Sequence, residues 1–371
     1  MTTNERHTLR VVALLLGLLP ASFGCHSPER ALTLTPAKPS NAGPESVIAQ
    51  PRDIERLAFI TLDRWVASDS TGKLWLTQNQ GKEWQVVTTF DPALVQSEIK
   101  FRYLQSGYFL TGNKLWTTND SGLTWHSKES LEMKTKELSA NLRGCFYFTD
   151  EEAWCAGSHY DSRSGMRGVL LKSSNGGDSW DSVEIDPSHA VSSTTGNRWD
   201  LRDVYLTRNG NGWAVGSACV FATNDGGNSW VFDKDAKGVF DHIQMGTGKA
   251  GLLLEKRRAA TLYTQDAGLH WQALPFGEEL DDSTDLIATQ QNTIVVVSRT
   301  LDIRVKRDSV SEWRHIPTPH GLKPLDSKPA FFEIHLGETV DGDLILVEMP
   351  YGGSTPVATA TSADGGVSWK N

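Results

Sequence analysis

The sequence predicts an all-β chain of seven four-stranded antiparallel blades closed into a propeller, and three observations predict it. An eight-residue phrase recurs seven times, at 77–84, 118–125, 173–180, 223–230, 264–271, 306–313 and 362–369. Its closing tryptophans stand 41, 55, 50, 41, 42 and 56 residues apart, the period of one supersecondary unit repeated in series. Ahead of each phrase lie short apolar or alternating runs, such as 204–206, 213–215 and 220–222, that read as strands.

The phrase itself is a turn. Ser or Thr opens six copies and Lys306 the other; Asn or Asp stands third in all seven, Gly fifth in all but the copy with Val310, and Trp last in all. A short polar side chain at the third place accepts backbone N–H groups ahead of it, and Gly at the fifth permits positive φ. The tryptophan then buries a large ring at the start of the next strand. Three strands before the phrase and one after it make a blade. Of the 13 tryptophans, seven close the phrase. Trp65, Trp154 and Trp213 fit one second-strand position, Trp75 and Trp116 one third-strand position, and Trp199 has no repeat role.

In chain order, residues 1–24 read as an export signal: Arg6 and Arg10 precede an apolar run at 11–19, too short to span a bilayer, followed by Pro20 and small residues up to Cys25. Gly24 before Cys25 resembles the lipobox of bacterial lipoproteins, with Ser22 where such signals carry Leu. That resemblance implies lipidation of Cys25 and a place in the cell envelope, the outer membrane favoured because His26 and not Asp follows. Residues 25–50, with four prolines, read as a tether, and 51–371 as the propeller. Only Lys370 and Asn371 follow the last phrase, so the outer strand of blade seven is expected from the N-terminal segment, at 47–50 or 31–35.

Composition narrows function. With 39% hydrophobic and 22% charged residues the 371-residue chain can build a core, and a net charge of −9 argues against nucleic acid as partner. No metal-ligand spacing stands out among the 4 cysteines and 10 histidines, and no cofactor motif is read. Cys145 and Cys155 lie ten apart across an expected hairpin and could face each other as a disulfide in an oxidising compartment.

The phrases match the Asp-box, Ser/Thr-x-Asp-x-Gly-x-x-Trp, and the chain resembles the BNR-repeat propellers over about residues 52–371. The stretch from Leu201, Arg202 and Asp203 through Gly212, Trp213, Ala214, Val215 and Gly216 to Thr223, Asp225 and Gly227 is similar to the blade pattern of photosystem II assembly-factor-like propellers. This resemblance implies that the acidic box residues, Asp120, Asp225, Asp266 and Asp364, build turns on the outer rim, away from any site.

Candidate site residues therefore lie on the opposite face. Arg56, Arg143 and Arg202 each open an inner strand, with Arg102 a shifted fourth; they either offer forked donors to a ligand or pair with neighbouring carboxylates. Lys256, Arg257 and Arg258, with Arg299, either form a basic patch for an acidic partner or lie in a solvated loop. Trp199, in a long insert, is either a binding anchor or a staple. The main expectation is a non-catalytic, monomeric envelope propeller that binds a protein partner. The alternatives are a sialidase-like or other glycoside hydrolase, using parts such as Tyr351, Glu348 and Asp53, or a propeller that binds glycan without cleaving it, with Trp199 and Tyr160 as stacking platforms. The Phe/Tyr-Arg-Ile-Pro phrase that opens sialidases is missing; the nearest text is Arg52-Asp53-Ile54.

Overall fold

The computed structural model describes residues 49–371, apart from 95, 163–164, 187–198, 218, 234–235, 237, 248, 256–259, 277–278, 281–283, 309–310 and 323–331. Seven antiparallel sheets follow one another in sequence, each with strands in chain order from the inside outward. The inner strands are Ile54–Phe59, Lys100–Phe101, Ala140–Tyr147, Asp203–Leu206, His242–Met245, Asp285–Ala288 and Phe332–Glu338. Six sheets have four strands and the seventh has three.

The edge of that seventh sheet departs from expectation. Thr361 exchanges both backbone hydrogen bonds with Lys370, at 2.7 and 2.8 Å, so the residue after the last tryptophan takes the outer place. No N-terminal strand pairs there among the described residues; 31–35 and 47–48 lie outside them, and Gln50 accepts a bond from Ser354 Oγ at 2.8 Å. Blade seven meets blade one through side chains: Phe59, Trp65 and Trp84 pack with Ile345, Val347 and Met349. Trp84 Nε1 donates to Ser354 O at 3.1 Å. Burying each such large side chain stabilises the junction by roughly 1.5–3 kcal/mol.

The repeated phrase folds alike in blade after blade. In blade four Thr223 Oγ1 donates to Asp225 Oδ1 at 2.8 Å and accepts the amide of Gly227 at 3.0 Å, while Asp225 Oδ1 accepts the amide of Ser229 at 3.0 Å. Trp230 Nε1 closes the turn on Gly227 O at 3.1 Å. Gly227 is needed twice over: its φ is +82°, and a Cβ there would lie 2.4 Å from Trp154 of the preceding blade. In blades one to five the turn is also bonded to the hairpin between the first two strands of its blade, as in Gly226 N to Gly210 O at 2.9 Å and Ser121 N to Gln105 O at 3.0 Å. The phrases and these hairpins therefore share one face, and the inter-blade connections and the second-to-third-strand connections share the other.

The ladders correct one tryptophan. Trp154 pairs with Lys172 and Trp213 with Ala222, each the residue before its phrase, but Trp65 pairs with Thr77, the first residue of its own. Trp65 sits one residue earlier and so on the other face of its sheet, because side chains alternate along a strand. Two further elements set blade three apart. Its inner strand is preceded by the helix Glu129–Leu138, which the strand-based reading does not anticipate, with Leu131 and Thr135 turned inward one turn apart. Its second and third strands, Ala153–Asp161 and Gly165–Ser173, have nine residues each where blade four uses five. At the base of this hairpin Cys145 lies directly opposite Cys155 and is bonded to it. Cys219 is a free, buried thiol, which burial pushes up to about 12.

Candidate functional site

The inner strands define a channel, and their ladders assign a common level to one residue in each. Counting from the residue opposite the first position of each phrase, the third rung inward holds Arg56, Gly144, Asp203, His242, Asp285 and His335; in blade two the regular pairing ends at Lys100, and Glu98 lies two residues before it. Five of these six positions are ionisable. The next rung is apolar, with Leu57, Cys145, Val204, Ile243, Leu286 and Leu336.

Asp203 is the centre of the polar level. Only 1% of its side chain is exposed. It accepts the amide of Val204 at 2.9 Å and that of Ile243, in the next blade, at 3.3 Å. Asp285 repeats the second bond one pair of blades further on, accepting Leu336 N at 2.8 Å. Asp203 also faces His242 Nδ1 at 3.4 Å and, from blade two, Lys100 Nζ at 3.6 Å. Lys100 reaches it past Gly144, where a Cβ would lie 2.6 Å from Asp203 Oδ1. On its far side His242 presents Nε2 to Glu98 Oε1 of blade two at 3.9 Å. Lys100, Asp203, His242 and Glu98 thus form one chain of alternating charge that joins blades two, four and five.

Burial and attraction compete at each member. Burial alone would raise the carboxyls of Asp203 and Glu98, yet Lys100 and His242 hold both below their ordinary values. Burial would lower Lys100 and His242, yet the carboxylates hold both above theirs. At the other end of the channel Glu338 has no such cation: burial pushes it up to about 7, against one bond from Gln290 N at 2.8 Å.

The expected site residues separate. Arg143 and Arg202 each stand one residue before the polar-level residue of their blade, Arg143 at a break in its ladder and Arg202 just ahead of its strand, whereas Arg56 lies on that level. Arg202 is engaged by Asp200 Oδ2 at 3.3 Å, Asp241 Oδ1 at 2.5 Å and Ser217 Oγ at 2.8 Å. Arg56 donates to Glu55 O at 2.7 Å and to Gln96 O at 3.4 Å. Arg143 is exposed. Arg102 follows its inner strand, on the phrase face, where it pairs with Asp150 and lies over the Tyr103 ring. The arginines therefore do not form a single ring. Sequence reading could not see this because one residue of register separates them.

Trp199 is buried, 4% exposed, and packs on Gly168 and Phe221 with its amide donating to Met166 O at 3.1 Å. It is buried where blades three and four pack together, so the reading of an exposed anchor is corrected. Arg299 is exposed in the second-to-third connection of blade six, while Arg304 is held by Glu279 and Asp302, both at 2.7 Å. Lys256, Arg257, Arg258 and Cys25 lie outside the described residues. Of the hydrolase parts, Glu348 is 1% exposed within its strand and Tyr351 is 69% exposed beyond it. Tyr160, expected as a stacking platform, stands at the tip of the blade-three hairpin; what sequence reading missed is Met166, which pairs with it across the ladder, the two being 66% and 40% exposed.

No family model matches the chain. Among curated proteins, vacuolar protein sorting/targeting protein 10 of Chaetomium globosum is 28% identical over 113 residues, which cover 29% of this chain and 7% of that protein. Among solved structures, an ancestral GH74 enzyme is similar with a TM-score of 0.55 at 11% identity, over 87% of this chain and 47% of that one. A streptogramin B lyase is similar with a TM-score of 0.53 at 9% identity, over 83% and 93%. YCF48 bound to a D1 peptide gives a TM-score of 0.47 at 18% identity, over 75% and 79%. At these identities the likeness is one of fold.

Proposed function

We propose that this chain is a non-catalytic propeller that docks a protein partner on the face formed by the inter-blade connections, and that a lipid on Cys25 tethers it to the bacterial cell envelope. The observation that carries the reading is the blade-three hairpin. Four extra residues per strand lengthen it by about 13 Å relative to blade four, at about 3.3 Å per residue. At its tip a tyrosine and a methionine stand side by side in solvent, and its base is cross-linked by Cys145–Cys155. An aromatic and an adaptable thioether on a rigid projection suit a protein contact.

The side chains that a sialidase-like site would require support the same choice. Arg202 is committed to Asp200 and Asp241, and Glu348 is buried in its strand. The N-terminal reading, with its short apolar run and Cys25, supplies the tether.

Site-specific photo-crosslinking in the native envelope tests the docking face. A photoreactive residue at position 160 is expected to give a discrete adduct, and the same residue at Leu269, 73% exposed on the phrase face, is expected to give none. Adducts at 269 alone, or sialoside hydrolysis by the purified propeller, would replace this reading with another. Labelling with a radiolabelled fatty acid, lost in C25S, tests the anchor.

A further inference from the structure

The alternating chain in the channel contains a group whose two nitrogens cannot both be served in its neutral form. His242 Nδ1 faces a carboxylate oxygen of Asp203 at 3.4 Å, and Nε2 faces one of Glu98 at 3.9 Å. A neutral imidazole carries one N–H and one lone pair, so one nitrogen would then point its lone pair at a carboxylate. Only the imidazolium is attracted on both sides, through a hydrogen bond at Nδ1 and through its charge at Nε2.

We propose that His242 is a proton-operated staple across the channel: charged, it ties the inner strand of blade five to blades four and two, and on losing its proton it releases Glu98 and loosens the inter-blade mouth. Three elements carry the charged groups that bear on it. Asp203 comes from the inner strand of blade four, Lys100 from that of blade two, and Glu98 from just before it. Asp241, next in sequence, is engaged by Arg202. Asp285 of blade six turns toward Leu336. Burial alone would lower His242, and the two carboxylates outweigh it, Glu98 most. The asymmetry gives the direction of release. Asp203 is also fixed by two backbone amides, whereas Glu98 is 40% exposed and, once the charge of His242 is gone, is drawn only by the more general attraction of Lys100 and Arg56, so it is the weaker of the two ties.

The sign follows. A histidine whose folded value is raised contributes fully below its unfolded value, about 6.5, and the contribution is lost as pH rises through the folded value. Glu338, pushed up to about 7, titrates in the same window, so a site-resolved measurement is needed. NMR titration of the His242 ring should give a midpoint above 6.5, and E98Q should bring it down. Amide exchange in the strand His242–Met245 should accelerate above that midpoint beyond the intrinsic base-catalysed rate, and H242K, charged throughout this range, should abolish the acceleration. A wild-type midpoint at or below 6.5 overturns the proposal whether or not E98Q folds. So does a midpoint that E98Q leaves unmoved, or exchange that accelerates equally in H242K.

Discussion

The outer rim and the channel are built from the same seven-fold register, and they use it in opposite ways. At the rim the equivalent positions carry the same residues for the same reason: a hydroxyl, an Asn or Asp, a glycine and a tryptophan close one turn in blade after blade. At the polar level of the channel the six equivalent positions that the ladders define carry Arg, Gly, Asp, His, Asp and His. The rim turn is a local solution, satisfied within eight residues, so it can be copied. The channel level is a shared space into which all blades point, and one chain of alternating charge crosses it only if each member differs. Repetition therefore marks scaffold, and its failure at equivalent positions marks where individual chemistry can reside.

Substitutions can break this contrast, the largest first. Gly227→Val adds a side chain at φ +82° and drives it into Trp154, so chemical denaturation should show a loss of about 3–5 kcal/mol, combining left-handed strain with overpacking. Asp203→Ala strips Lys100 and His242 of their shared partner and leaves the Ile243 amide unsatisfied; a loss of about 3 kcal/mol is expected, at the lower end for a broken buried pair because Lys100 is 26% exposed. The equivalent change of His335, whose recorded ionic partner is Glu333 on its own strand at 3.6 Å, should cost under about 1 kcal/mol. Equal losses at the two positions would erase the claim that channel positions are individual.

Smaller effects sharpen the rim. Thr223→Val leaves the Gly227 amide without its acceptor and should cost about 1–3 kcal/mol, and the same change at Thr118 and Thr264 should cost the same within about 0.5 kcal/mol. Scatter among the three would show that the rim turns are not interchangeable. Bonds from Ser229, above all its hydroxyl, hold Asp225 down at about 2. A depressed carboxylate contributes above its unfolded value near 3.9 and loses that contribution as pH falls through its folded value, so NMR of the folded protein should place the Asp225 midpoint well below 3.9, and Ser229→Ala should raise it. Tyr160→Ser should leave stability within about 0.5 kcal/mol, because an exposed hairpin tip is not part of the core, while weakening the adduct from a photoreactive residue placed at position 166 beside it.

Much of the fold was legible because its determinants are local. The phrase could be read as a turn from four residues, and its period as a blade. Opposed placement of Cys145 and Cys155 followed from their spacing around a hairpin. Other features depended on quantities that strings of residues do not carry. Trp65 was grouped with Trp154 and Trp213 by its neighbours, yet its ladder partner is one residue different. Arg56, Arg143 and Arg202 look alike in sequence, but Arg56 stands one residue further along its strand than the other two, and Asp241, 39 residues from Arg202, captures the Arg202 guanidinium. The helix Glu129–Leu138 escaped notice because a search for strands does not test for a period of 3.6.

By itself, then, the sequence determined the number of blades, the turn that closes each one, and the assignment of the repeated acids and tryptophans to scaffold. These are short-range matters, decided by hydrogen bonds and φ angles within a few residues. Tertiary structure alone decided which side chains share the channel level, which arginines are committed to carboxylates, that Trp199 is buried, and that Lys370 takes the last edge. Each of these depends on pairs far apart in the chain, whose meeting is fixed by strand register and by the closure of the ring.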